Sequence, residues 1–181
     1  SKRISVNLEN TILKEDPKTI AGFFAEPVMG AGGVIPPSKG YFDYIQPILK
    51  KHNIPFVADE VITGFGRTGN LWGTETYNLK PDIIISSKCL TAGFFPMGAV
   101  ILNKNMADDF ISVSEEAEEF PHGFTSGGHP VGCAIALKAI DVIINEGLLE
   151  NVKNVSPYFL SRLDEFNEYK YIGETRGVGL M

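Results

Sequence analysis

Apolar residues recur at three- and four-residue spacing in three stretches of this chain and gather into short unbroken runs in four others. That pattern alternates amphipathic helix with buried strand. The chain opens inside a helical pattern, with Ser1 already part of it and Ile4, Leu8 and Ile12 on one face, until Pro17 breaks it. Residues 19–25 form an apolar run rich in Ile and Phe that reads as a buried strand, and residues 27–37, holding Gly30, Gly32 and Gly33, read as turns. Ser38 is placed to cap a helix through Tyr41, Phe42, Ile45, Ile48 and Leu49. Residues 54–58, 82–86 and 97–102 predict three more strands. Residues 127–146 predict a helix apolar almost all round, broken only by Lys138, Asp141 and Asn145, and therefore buried on most sides. A last amphipathic helix, residues 149–169, runs through Val152, Val155, Phe159, Leu163 and Phe166 with a kink expected at Pro157.

Strands alternating with helices predict an α/β fold, a mainly parallel sheet flanked by helices. Ligands of such sheets bind outside the carboxyl ends of the strands, where Glu26, Asp59 and Lys88 would converge. With 181 residues, 44% apolar and 21% charged, the chain suffices for one core. Its net charge of −6 is spread, apart from Glu115, Glu116, Glu118 and Glu119, so no basic face exists for a nucleic acid. No apolar run reaches the roughly 20 residues that span a bilayer. Cys89 and Cys133 sit in apolar surroundings without metal-ligand spacing and read as reduced packing residues of a cytoplasmic protein, with no metal site. Both ends look cut, as in a piece of a longer chain.

Lys88 follows the run Ile83-Ile84-Ile85-Ser86-Ser87, where a strand leaves the sheet. Burial there would favour the neutral amine that attacks a carbonyl to form a Schiff base; on position alone the residue reads as a lysine snorkelling to solvent. Asp59 closes a second run and would be projected from its strand end, with Glu60 pointing to the opposite face. A carboxylate there could hold a pyridine nitrogen protonated, or cap the following Gly-rich turn. Thr125, with Ser126-Gly127-Gly128 before a helix from about residue 129, offers an anion cradle or a plain helix cap. Amine, carboxylate and phosphate cradle together are the three handles that pyridoxal phosphate requires. Residues 30–33 match no nucleotide fingerprint. His52, His122 and His129 read as structural, His129 as a helix-start residue, and Trp72 and Tyr77 as loop packing.

Four ordered blocks sharpen this picture. Glu26-Pro27-Val28-Met29-Gly30-Ala31-Gly32-Gly33-Val34-Ile35-Pro36-Pro37 and Asp59-Glu60-Val61-Ile62-Thr63-Gly64-Phe65-Gly66-Arg67-Thr68-Gly69 resemble signature blocks of class III, ω-type aminotransferases of fold type I. Ser87-Lys88-Cys89-Leu90-Thr91-Ala92-Gly93-Phe94-Phe95-Pro96-Met97-Gly98-Ala99 and His122-Gly123-Phe124-Thr125-Ser126-Gly127-Gly128-His129-Pro130 are similar to the amine–pyruvate transaminase branch. The resemblance implies that residues 1–168 belong to the large cofactor domain and 169–181 begin a small C-terminal one. It implies pyridoxal 5'-phosphate as cofactor, Lys88 as its Schiff-base lysine and catalytic base, Asp59 as the pyridine-nitrogen partner and Val61 against one ring face. Thr125 would reach the phosphate of a neighbouring subunit's cofactor, which implies a homodimer. Glu26 would lie near the pocket, or be a strand-end acid paired with Arg67 or a backbone group. The implied reaction moves an amino group from an amine or ω-amino acid to a keto acid, with pyruvate expected. Ala31, where the ornithine-type branch carries a glutamate, speaks against an ornithine-like donor. An aminomutase or racemase on the same scaffold, or a non-catalytic fragment, are the alternatives.

Overall fold

The computed structural model describes residues 2–120 and 122–181; Ser1, the predicted start of the first helix, lies outside the described residues. Helix α1 runs Lys2–Glu15. The predicted strand over residues 19–25 is shorter than its apolar run. Asp16 accepts the Lys18 N–H, and the Thr19 hydroxyl donates to the carbonyls of Glu15 and Asp16, which winds Pro17–Thr19 into a 3₁₀ turn and leaves β1 only Phe23–Ala25. Helix α2, Tyr41–Lys51, starts after Gly40 in the left-handed region (φ 74°), so Ser38 is not its cap; it gives its carbonyl to the Tyr41 N–H instead. Then come β2 (Phe56–Asp59), a single-turn α3 (Gly73–Thr76), β3 (Ile83–Ser86) and β4 (Ala99–Leu102).

The four strands lie in the order β1-β2-β3-β4. β1–β2 and β2–β3 pair in parallel and β3–β4 antiparallel, the mainly parallel α/β sheet expected from the sequence. Register puts Phe23 beside Phe56 and Phe24 beside Val57, so Phe23, Phe56 and Ala58 share one face while Phe24, Val57 and Asp59 share the other. The first face is covered: Ile12 of α1 and Phe42, Ile45 and Leu49 of α2 pack with Ile54, Phe56 and Leu79 into one buried cluster. Each such side chain contributes about 1.5–3 kcal/mol. On the second face Phe24 and Val100 are 66% and 64% exposed.

Helix α4, Lys104–Ala117, is an element the apolar pattern did not predict, its face of Met106, Phe110, Val113 and Ala117 being interrupted by the acid pairs Asp108-Asp109 and Glu115-Glu116. Asn103 starts it by accepting the Met106 N–H at 2.9 Å, and also donates to Asp82. Helix α5 is Pro130–Asn145, and its cap is His129, whose Nδ1 accepts the Val131 N–H. Among the described residues α5 is not buried on most sides as its composition predicts. Gly132 and Ala136 are buried against Phe95, Met97, Phe65 and their neighbours, while Val131, Leu137 and Ile144 stay exposed, because this chain supplies cover for one face only. Helix α6, Leu148–Asp164, passes through Pro157 uninterrupted and ends in a 3₁₀ turn, Glu165–Glu168.

Candidate functional site

Asp59 is the last residue of β2 and pairs with Ile85 of β3; Lys88 stands two residues past the end of β3. Because the two strands are parallel, both side chains leave the sheet at its C-terminal edge. Asp59 is half-buried. Its Oδ1 accepts the Val61 N–H at 3.0 Å, and among the described residues no donor reaches Oδ2. Lys88 opens a 3₁₀ turn, Lys88–Leu90, in the left-handed region at φ 41°. A non-glycine residue there costs roughly 1 kcal/mol or more and is held by its surroundings, here the bonds from Leu90 N–H to Ser87 O and from Thr91 N–H to Lys88 O. Its ammonium group has no carboxylate partner among the described residues. Of the two readings offered for it, the structure gives the snorkelling one: within this chain Lys88 is exposed, since nothing in these residues packs over the edge.

The other anticipated residues divide. Glu26, half-buried at the end of β1, accepts the Gly30 N–H on Oε2 at 2.8 Å and so braces its own turn, the backbone-paired alternative rather than a pair with Arg67. Val61 is half-buried, one residue beyond Glu60. Thr125 is exposed in a turn five residues before α5; the cap is His129, so the helix-cap reading of Thr125 is overturned. Trp72 packs on Phe65 with ring centroids 4.8 Å apart, and Tyr77 joins the cluster around Phe42, both as packing residues. His52 ends α2 and touches Glu9 of α1 at 3.3 Å. Cys133 is exposed, unlike the packing residue expected, while Cys89 is part of the α5 cluster.

Two residues went unremarked as site builders. Glu60 is fully buried and accepts the Thr63 hydroxyl at 2.5 Å and the N–H groups of Gly73 and Thr74 at 2.9 and 2.6 Å. The signal available was an acid followed three residues later by a threonine inside a glycine-rich loop. Arg176 donates from Nε to the carbonyls of Gly33 and Val34, clasping the turn that presents Ala31, and pairs with Glu174. Nothing local in the sequence announces a contact over more than 140 residues. A cleft of about 770 Å³ lies at the opposite edge of the sheet, lined by Lys50, Ile54, Phe56, Lys80 and Asp82, away from Asp59 and Lys88. No group of three His, Cys, Asp or Glu suited to a metal, and no helix long and apolar enough to cross a membrane, occurs among the described residues.

The family model "Aminotransferase class-III" matches residues 1–181. A PMP-bound aminotransferase from Vibrio fluvialis is 63% identical and superposes with a TM-score of 0.96 over 98% of this chain and 39% of that one. An omega-aminotransferase from Paracoccus denitrificans matches equally, at 63% identity and TM-score 0.96, over 98% of this chain and 40% of its own. Gamma aminobutyrate transaminase 3, chloroplastic, of Solanum lycopersicum is 50% identical over 100% of this chain and 35% of its own length. The chain thus spans roughly a third to two fifths of the relatives it matches.

Proposed function

Because the chain belongs to the class-III aminotransferase family, we propose that it carries the lysine and the ring-nitrogen acid of an enzyme that transfers an amino group from an amine or ω-amino acid to a keto acid with pyridoxal 5'-phosphate. The observation that carries this reading is the pair Asp59 and Lys88. They leave the same edge of adjacent parallel strands, one with an unengaged carboxylate oxygen and the other with an unpaired amine. Those are the groups the cofactor needs, so the residues present fit it. When bound, pyridoxal phosphate supplies a carbonyl carbon to an amine and a ring that accepts electrons from the substrate's α-carbon.

The chain's own residues have the following parts. Oδ2 of Asp59 would accept a hydrogen bond from the ring nitrogen and keep a proton there. Nζ of Lys88 would hold the cofactor covalently and would serve as the general base that moves a proton. Val61 would pack against the ring, and Thr125, exposed at its turn, would serve the phosphate of a second subunit in a homodimer. Glu26 lies near the pocket and acts through the turn it braces. We assign residues 1–168 to the large cofactor domain and 169–181 to the start of a small one, pyruvate as acceptor, and the cytoplasm as location. The 63% identity to an omega-aminotransferase, the 50% identity to a gamma aminobutyrate transaminase and the alanine at position 31 all support an amine or ω-amino acid donor.

The test uses the complete protein. Borohydride treatment with pyridoxal phosphate should fix the cofactor on the peptide bearing Lys88, and Lys88→Ala should lose both label and turnover. A label on another lysine, or an unchanged rate in the variant, refutes the assignment. Alanine formation from pyruvate, followed in a coupled assay, tests the acceptor.

A further inference from the structure

Every polar group of Glu60 is bound. Its N–H donates to the Ile85 carbonyl and its carbonyl accepts the Gly64 N–H, both at 2.9 Å. Its carboxylate takes three donors, from Thr63, Gly73 and Thr74, and no Lys, Arg or His pairs with it among the described residues. A carboxylate with no access to water is tolerated when such donors replace its hydration. Gly73 makes the approach possible, because a Cβ there would stand 2.8 Å from Thr63 Cβ, 3.0 Å from Pro27 Cβ and 3.1 Å from Glu60 Oε2. Residue 60 is therefore tied to β3, to its own loop and to the start of α3 at once.

Asp59 is the contrast, since its carboxylate is held by one bond from the Val61 N–H. Asp59 closes β2 and points to the side of the sheet away from Glu60, and Val61 follows Glu60 in the turn, so the direction of the Asp59 carboxylate and the place of Val61 are set by the residue between them. We infer that Glu60 is a positioning residue, which fixes Asp59 and Val61 for the cofactor ring by locking the backbone from the opposite face. The inference rests on the assignment of Asp59 to the ring nitrogen.

Glu60→Gln keeps the shape but turns one oxygen into an NH₂, which must face the N–H of Gly73 or Thr74. In the complete enzyme loaded with pyridoxal phosphate, kcat per bound cofactor should fall on the order of ten-fold with KM changed less than about two-fold. Release of the cofactor, followed by its absorbance after gel filtration, should quicken by a similar factor. Made on top of Asp59→Asn, Glu60→Gln should lower kcat no further, because its effect passes through Asp59. If Glu60→Gln fails to fold, Thr63→Val, which removes only a hydroxyl donor, should show the same pattern with a smaller loss. Unchanged kcat and release in the variant that folds, or equal fractional losses in both backgrounds, overturn the inference: Glu60 then serves the fold alone. A near wild-type rate in Asp59→Asn by itself is a different failure, which removes the ring-nitrogen role while leaving Lys88 untouched.

Discussion

Single side chains decide most of what happens at the sheet edge. Asp59 and Lys88 stood out because each follows an apolar run, whereas the part Glu60 plays needed three dimensions. Asp59 keeps one oxygen unengaged, Glu60 spends both, and Lys88 sits at positive φ with no acid beside it. Residue patterns do not encode which of two adjacent acids is satisfied. A second acid shows how partners set titration. Glu9 is held below the usual glutamate range first by the hydrogen bond from Lys51 and then by that from His52, which joins α1 to α2. A depressed carboxyl pKa contributes stability that is fully present above the unfolded value, about pH 4.3. That contribution is lost as pH falls through the folded value. Glu9→Gln in the complete protein should therefore lower Tm at pH 7, by a difference that shrinks as pH falls below about 4.3 toward the folded value. A Tm difference that persists unchanged at pH 3, measured by circular dichroism, would contradict the sign.

Elements were legible wherever one periodicity dominated. α1, α2, α5 and all four strands follow their apolar patterns, and the boundaries moved where local hydrogen bonds won, as at Asp16, Gly40 and His129. Helix α4 was masked by the acid pairs Asp108-Asp109 and Glu115-Glu116, although Met106, Phe110, Val113 and Ala117 recur at four- and three-residue spacing and Asn103 stands three residues before Met106. The approach of α5 to the loop before β4 was equally hidden. Gly132 sits so close to Phe95 that a Cβ would lie 2.8 Å from its ring and 3.0 Å from Met97 Cε. Gly132→Ala gains up to about 1 kcal/mol of helix propensity but overpacks that contact at about 1–3 kcal/mol, so a net loss near 1 kcal/mol is expected. Chemical denaturation measures it, and a more stable variant would show that Phe95 moves aside freely.

At the scale of the whole molecule, apolar surface points outward. Phe94 and Phe124 are more than four-fifths exposed, and Phe124 adjoins Thr125. Composition could not tell that the apolar residues of α5 would find cover on one side only, since patterning specifies burial without naming the chain that provides it. A homodimer in which Thr125 serves the other subunit makes a mixing prediction. Thr125→Ala should weaken cofactor retention roughly 10–100-fold, the loss expected for a hydrogen bond to a charged group. Lys88→Ala should be inactive, yet co-refolding the two variants should restore activity, because each mixed dimer keeps one site with both residues intact. Activity in the mixture no greater than the sum of the separate variants would place Thr125 in its own subunit's site.

The neighbouring acids at the end of β2 carry one last implication. Alternation along a strand means that adding or removing a single residue between Phe56 and Asp59 would exchange their surroundings: the acid needing open space would be sealed in, and the one needing three donors would be stranded without them. Evolution or engineering can therefore reshape the loops around this strand, but its length is as fixed as any catalytic group.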